Sequence, residues 1–145
     1  MPYMKVTCAE IDTAARARIA QGLTDAVVLL NASAHIKPDD LREHCTVHFT
    51  PYQPDGLAIG GRLIGDRTGA EVTMEYSDWA LSRRRQRRLA RELTPVLAAL
   101  FHMEKQLDHV NIRFHPYPAS DFAVGGRLLA DIVPLIARVM KRLAS

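Results

Sequence analysis

The sequence predicts an α+β fold: tandem β-α-β units forming a four-stranded sheet with two helices on one face, plus a C-terminal helix. Three observations lead there. The segment HCTVHFTPYQPDGLAIGGRLIGD, residues 44–66, recurs as HVNIRFHPYPASDFAVGGRLLAD, residues 109–131, with ten of 23 positions identical at an offset of 65. Each copy follows a strand-like run and then a helix-like run, so each half reads as β-α-β. Right-handed crossovers place both helices on the same side of the shared sheet.

Taken in order, Tyr3 to Cys8 reads as the first strand, and Asp12 caps a helix whose apolar face is Ile19, Leu23, Val27 and Leu30. A loop broken by Pro38 leads to a second strand, Thr46 to Thr50, and a Pro/Gly-rich turn. In the second half Ala70 to Tyr76 is the strand, and Ser77 or Asp78 caps a helix with Leu89, Leu93, Val96, Leu97, Leu100 and Phe101 at helical spacing. Pro95 inside that helix removes a hydrogen bond and is expected to kink it. Val110 to His115 is the last strand, and a closing helix begins after Asp131 with Pro134 in its first turn. The expected organisation is a single domain over 1–145: repeats at 2–66 and 69–131, then a helix over 132–144.

With 145 residues, 48% hydrophobic and 24% charged, the chain is large enough to bury a core without a disulfide or metal staple. Cys8 and Cys45 lie in apolar runs with no CxxC and read as reduced thiols of a cytoplasmic protein. No apolar run is long enough for a membrane span, and no secretory leader is evident, so no membrane partner is expected. Net charge is +3, with Arg83, Arg84, Arg85, Arg87, Arg88 and Arg91 clustered. Because the cluster sits on an amphipathic helix and lacks interleaved aromatics, it reads as a solvated face rather than a nucleic-acid surface. His44 and His48 stand about 13 Å apart along a strand, too far for one zinc ion. No metal and no cofactor are implied.

The second face of the sheet is expected to be bare. Val6, Cys8, Val47, Phe49, Ile112 and Phe114 offer more apolar strand surface than two helices cover, which predicts burial against other copies of the chain.

Pro2 directly after Met1, the β-α-β unit, and the turns Leu57-Ala58-Ile59-Gly60-Gly61 and Phe122-Ala123-Val124-Gly125-Gly126 resemble the tautomerase superfamily typified by 4-oxalocrotonate tautomerase. The doubled length is similar to its fused members, such as cis-3-chloroacrylic acid dehalogenase, and the resemblance covers residues 2–131. It implies a homotrimer and an active site around an amino-terminal proline. Once Met1 is removed, Pro2 carries a secondary amine that moves a proton on a small 2-oxo or enol acid, a carboxylate-bearing substrate. Hydration or decarboxylation of a small oxo acid is the neighbouring chemistry, and a noncatalytic trimeric scaffold is the rival.

Aligned with the dehalogenase, the family's catalytic histidine falls at Val27, its two binding arginines at Asp78 and Leu81, its tyrosine at Arg113 and its glutamate at Val124. Aligned with 4-oxalocrotonate tautomerase, the family's strand arginine falls at Thr46 or Asn111; anion binding is therefore assigned to Arg113, two residues beyond Asn111 and on the same strand face. Its counterpart His48 is the second substrate-binding candidate, and Phe122 matches the aromatic wall of the family's pocket, with Leu57 in the first copy.

Overall fold

A computed structural model describes residues 1–32, 37–79 and 81–134. The expected closing helix is entered at residue 129, three residues early, and is described to residue 134; its remainder lies outside the described residues.

Strand β1 (Tyr3–Ala9) leads to helix α1 (Thr13–Asn31), a short helix α2 (Pro38–Glu43) and strand β2 (Thr46–Tyr52). The second half repeats the order with β5 (Val72–Trp79), α3 (Arg83–Leu100) and β6 (Val110–Tyr117). Each copy ends in a two-residue-turn hairpin: β3 (Ala58–Ile59) with β4 (Arg62–Leu63), and β7 (Ala123–Val124) with β8 (Arg127–Leu128). Their Gly-Gly pairs hold φ of 60° and 75°, and 57° and 76°, positive at both positions, which glycine adopts without steric cost.

The sheet order is β2-β1-β5-β6, parallel within each half and antiparallel at the β1–β5 seam. Residue 3 pairs with 46 as residue 73 pairs with 111, so first strands correspond at an offset of 70 and second strands at 65. Lys5 faces Glu75 at the centre of the seam.

The core lies between the sheet and the two helices. Met4, Val6 and Cys8 of β1 and Met74 and Tyr76 of β5 pack on Ile19, Leu23 and Val27 of α1 and Leu89, Leu93 and Leu97 of α3, all nearly inaccessible to water. Full burial of each large aliphatic side chain is worth about 1.5–3 kcal/mol. Val47, Phe49, Ile112 and Phe114 join this core. That corrects the expectation of an apolar bare face: the apolar positions of all four strands share the helix side, because the register fixes their parity. The other face is polar. Tyr3 meets His48 (Tyr3 Oη to Nδ1, 2.6 Å), and Glu75 pairs with Lys5 at 3.3 Å and His115 at 3.5 Å.

Helix ends follow side-chain chemistry. Asp12 accepts from the Ala15 N–H at 2.7 Å, as expected. The cap of α3 is Ser82, whose hydroxyl accepts from the Arg85 N–H at 3.3 Å, not Ser77 or Asp78, which the longer strand β5 absorbs. α3 runs through Pro95 to Leu100 and closes with His102 at φ 57° and a bond from the Met103 N–H to the Ala98 carbonyl at 2.7 Å. Among the described residues no helix is long and apolar enough to cross a membrane.

Candidate functional site

The parity of β1 puts Pro2 on the helix side, and Pro2 is buried at the strand's start. β5 runs antiparallel to β1, so its far end, Asp78 and Trp79, arrives beside the chain terminus. The last turn of α1 and the first turns of α3 close over these strand ends. They frame a cleft of roughly 820 Å³ at the amino-terminal end of the chain. Its apolar wall includes Leu30, Leu41, Leu89, Val124 and Leu129, and its polar groups include Asn31, Asp40, Asp78, Arg85 and Arg88.

Asp78 organises the polar side. It is only 2% exposed, yet carries a carboxylate, so burial requires it to be paired. One oxygen, Oδ1, accepts from the Met1 ammonium at 2.8 Å and the Trp79 N–H at 2.9 Å. The other, Oδ2, accepts from Arg85 Nη2 at 2.8 Å. Arg85 is itself pinned, since its Nε and Nη2 donate to Asn31 Oδ1 at 3.2 and 2.7 Å. Asn31 is oriented in turn by donating its Nδ2 to the Val27 carbonyl at 2.9 Å. A guanidinium held at both edges in this way is a fixed positive charge rather than a flexible one.

The surroundings register that charge pattern. Burial, then the Asp78 carboxylate, pushes the Tyr76 and Tyr117 phenols up from their ordinary value. Tyr117 Oη donates to the Met1 carbonyl at 3.4 Å, and its ring stacks on Phe122 with centroids 5.7 Å apart.

Two of the four residues singled out from sequence meet at this end: Pro2 in the cleft and Phe122 behind Tyr117. Arg113 and His48 do not join them within one protomer. Arg113 alternates with Ile112 and Phe114, which enter the core, and so points to the polar face of the sheet opposite Pro2. His48 lies on that same face against Tyr3. The residues that surround the chain terminus, Asn31, Asp78, Arg85 and Arg88, escaped the sequence reading. Composition alone puts Arg85 and Arg88 in a solvated stripe, yet both precede the buried Leu89, four and one positions upstream, and so border the inward face of α3. Among the described residues no three His, Cys, Asp or Glu side chains are grouped to hold a metal ion.

Neither a protein-family model nor a curated protein sequence matches the chain. Solved structures do. An asymmetric trimer of wild-type fused 4-OT is 17% identical, with 90% of this chain and 98% of that one covered at a TM-score of 0.73. Pt0534 is 12% identical over the same shares at 0.72. A member of the cis-3-chloroacrylic acid dehalogenase (cis-CaaD) family is 19% identical over 87% of this chain and 82% of its own, at 0.67.

Proposed function

We propose that this chain, which has the fold of the fused tautomerase-superfamily proteins, is a cofactor-independent tautomerase or isomerase acting on a small 2-oxo or enol acid as a homotrimer. Pro2 is its proton-transfer residue. The observation that carries the reading is the place of Pro2: buried where β1 begins, in a cleft that it shares with Arg85 and Arg88.

With Met1 attached, the Pro2 nitrogen is a tertiary amide without a proton or a usable lone pair. With Met1 removed it is a secondary amine. It then takes the enol O–H proton while the electron pair of that bond forms the C=O, and the electron pair of the C=C bond takes the returned proton at the carbon next to the new carbonyl. Arg85 and Arg88 favour the neutral amine, the form that acts as a base. Phe122 stacks on Tyr117, which stands at the chain terminus through its bond to the Met1 carbonyl. A role for Arg113 or His48 in the same site requires a neighbouring protomer. The trimeric state is supported by the fused 4-OT trimer of the same fold.

A second reading rests on Asp78, which lines the same cleft as Pro2 and accepts from the Met1 ammonium at 2.8 Å. A carboxylate there favours the protonated amine, an acid suited to hydration or decarboxylation of an oxo acid.

The test uses 2-oxo-3-pentynoate, the compound that inactivates Pt0534. The Met1-free protein should turn over phenylenolpyruvate, take up one equivalent of the reagent on Pro2 by intact mass and peptide mapping, and lose turnover as it does so. Protein retaining Met1 should resist labelling, with activity lower by about 10²–10⁴-fold, the usual worth of a general base. Full turnover with Met1 in place sinks the proline mechanism. Labelling without any turnover points to the noncatalytic scaffold.

A further inference from the structure

Resting on the proposed function, the geometry points to Arg88 as the residue that binds the substrate carboxylate, and to a substrate with one carboxylate and an apolar body. Two arginines of α3 reach the cleft, and they differ in what already holds them. Arg85 has Asp78 on one edge and Asn31 on the other. Arg88, almost one turn further on, has an exposed side chain and no ion-pair or hydrogen-bond partner among the described residues.

Its counterpart shows that the availability is specific to this position. Arg18, at the matching place on α1, donates from Nη2 to the Leu100 carbonyl at 3.0 Å and so closes the end of α3. Arg88 makes no such bond to Leu30, the equivalent residue, although Leu30 lines the same cleft. A guanidinium that lines the same cleft as Pro2 and has no partner among the described residues can present two parallel N–H groups, which match a carboxylate in both charge and shape.

The rest of the lining sets the body of the ligand. Leu30, Leu41, Leu89, Val124 and Leu129 offer apolar contact well beyond what a three-carbon acid fills. Asp78 is already matched by Arg85 and the terminal amine, whereas Asp40 in the same cleft has no ion-pair partner among the described residues, and its negative charge opposes a second carboxylate. A monoanion with an aromatic or branched tail fits; a short dicarboxylate does not.

Calorimetric titration of the Met1-free protein with cinnamate, methyl cinnamate and fumarate tests this without requiring turnover. Cinnamate should bind more tightly than either of the others. Arg88→Ala should weaken cinnamate by about 10–30-fold and leave the ester unchanged, the loss of one charge-assisted contact. Arg88→Lys should restore part of the loss, and Arg84→Ala, outside the cleft, should change neither ligand. The proposal falls if native protein does not bind cinnamate, if fumarate binds better, or if Arg88→Ala leaves cinnamate affinity intact. A chain that shows the expected binding pattern yet never turns over an enol acid keeps the anchor and refutes the tautomerase reading.

Discussion

The two ends of the seam are built from corresponding residues and finish as different things. Pro2, Asn31, Asp78, Arg85 and Arg88 at the amino-terminal end correspond to Val72, Phe101, Cys8, Ala15 and Arg18 at the other. Of these five only Arg18 keeps its charge there. Cys8 is buried, with its thiol pushed up by that burial, and Arg18 serves the end of α3. The chain also runs on through Glu71, so no terminal amine exists. Tyr52 accepts from the Glu71 N–H at 3.1 Å and donates to the Glu71 carbonyl at 2.8 Å, where its partner Tyr117 has a single 3.4 Å bond to Met1. One backbone thus supports two different ends, and the four positions at which the residue type changes decide which.

The sharpest way to break this comparison is to strip the charged end. Arg85→Ala leaves Asp78 buried with one cation fewer and should cost about 3 kcal/mol in urea unfolding. Adding Asp78→Cys, the counterpart residue, should return much of that, a coupling of about 1–3 kcal/mol. A loss below about 1 kcal/mol for the single variant would show that the pairing matters little to the fold.

Tyr76 stands where the other half has Val6, which cannot titrate. Burial raises its phenol, so above pH ~10 the unfolded chain releases a proton that the folded chain retains. Stability is therefore fully present below that pH and falls above it, approaching about 1.4 kcal/mol per pH unit. Tyr76→Phe should flatten the alkaline decline in thermal melts.

Smaller effects separate the two tyrosines. Tyr52→Phe should cost about 1–2 kcal/mol, because it strands the Glu71 N–H and carbonyl together, whereas Tyr117→Phe should stay within about 0.5 kcal/mol. The helix ends differ by a similarly small amount: α1 stops at Ala32 with φ −59°, but α3 holds His102 at φ 57°. His102→Gly should gain about 0.5–1 kcal/mol by relieving that left-handed residue, visible as a raised melting temperature.

How far these features were legible depends on the range of the signal. The duplicated segment and its Gly-Gly turns carry local rules, and they led to the right elements and sheet. The polar face was misjudged even though its residues were readable: Lys5, His48, Glu75 and Arg113 alternate with the core positions, and once one strand's parity is assigned the register assigns the rest. The cleft was harder. Asp78 shows in the sequence as a cap candidate and as an arginine missing from the family pattern, and what compensates it is Arg85 seven positions on, itself held by Asn31 on the other helix. No spacing links Asn31 to Arg85. Only the phase of α3, with Arg85 one turn before Leu89, distinguished an inward arginine from its solvated neighbours.

Lys5 and Glu75 correspond to each other at the offset of 70, and they also face each other at the centre of the seam, 3.3 Å apart. Two separate identical copies joined about a dyad could not do this. A side chain at that point meets its own twin, so lysine would oppose lysine and glutamate would oppose glutamate, both unfavourable directly across strands. Covalent duplication lifts the constraint, because the twin positions mutate independently. One substitution then turns a self-repelling contact into an attractive one that pairs the two halves in a single arrangement and disfavours either half meeting a copy of itself.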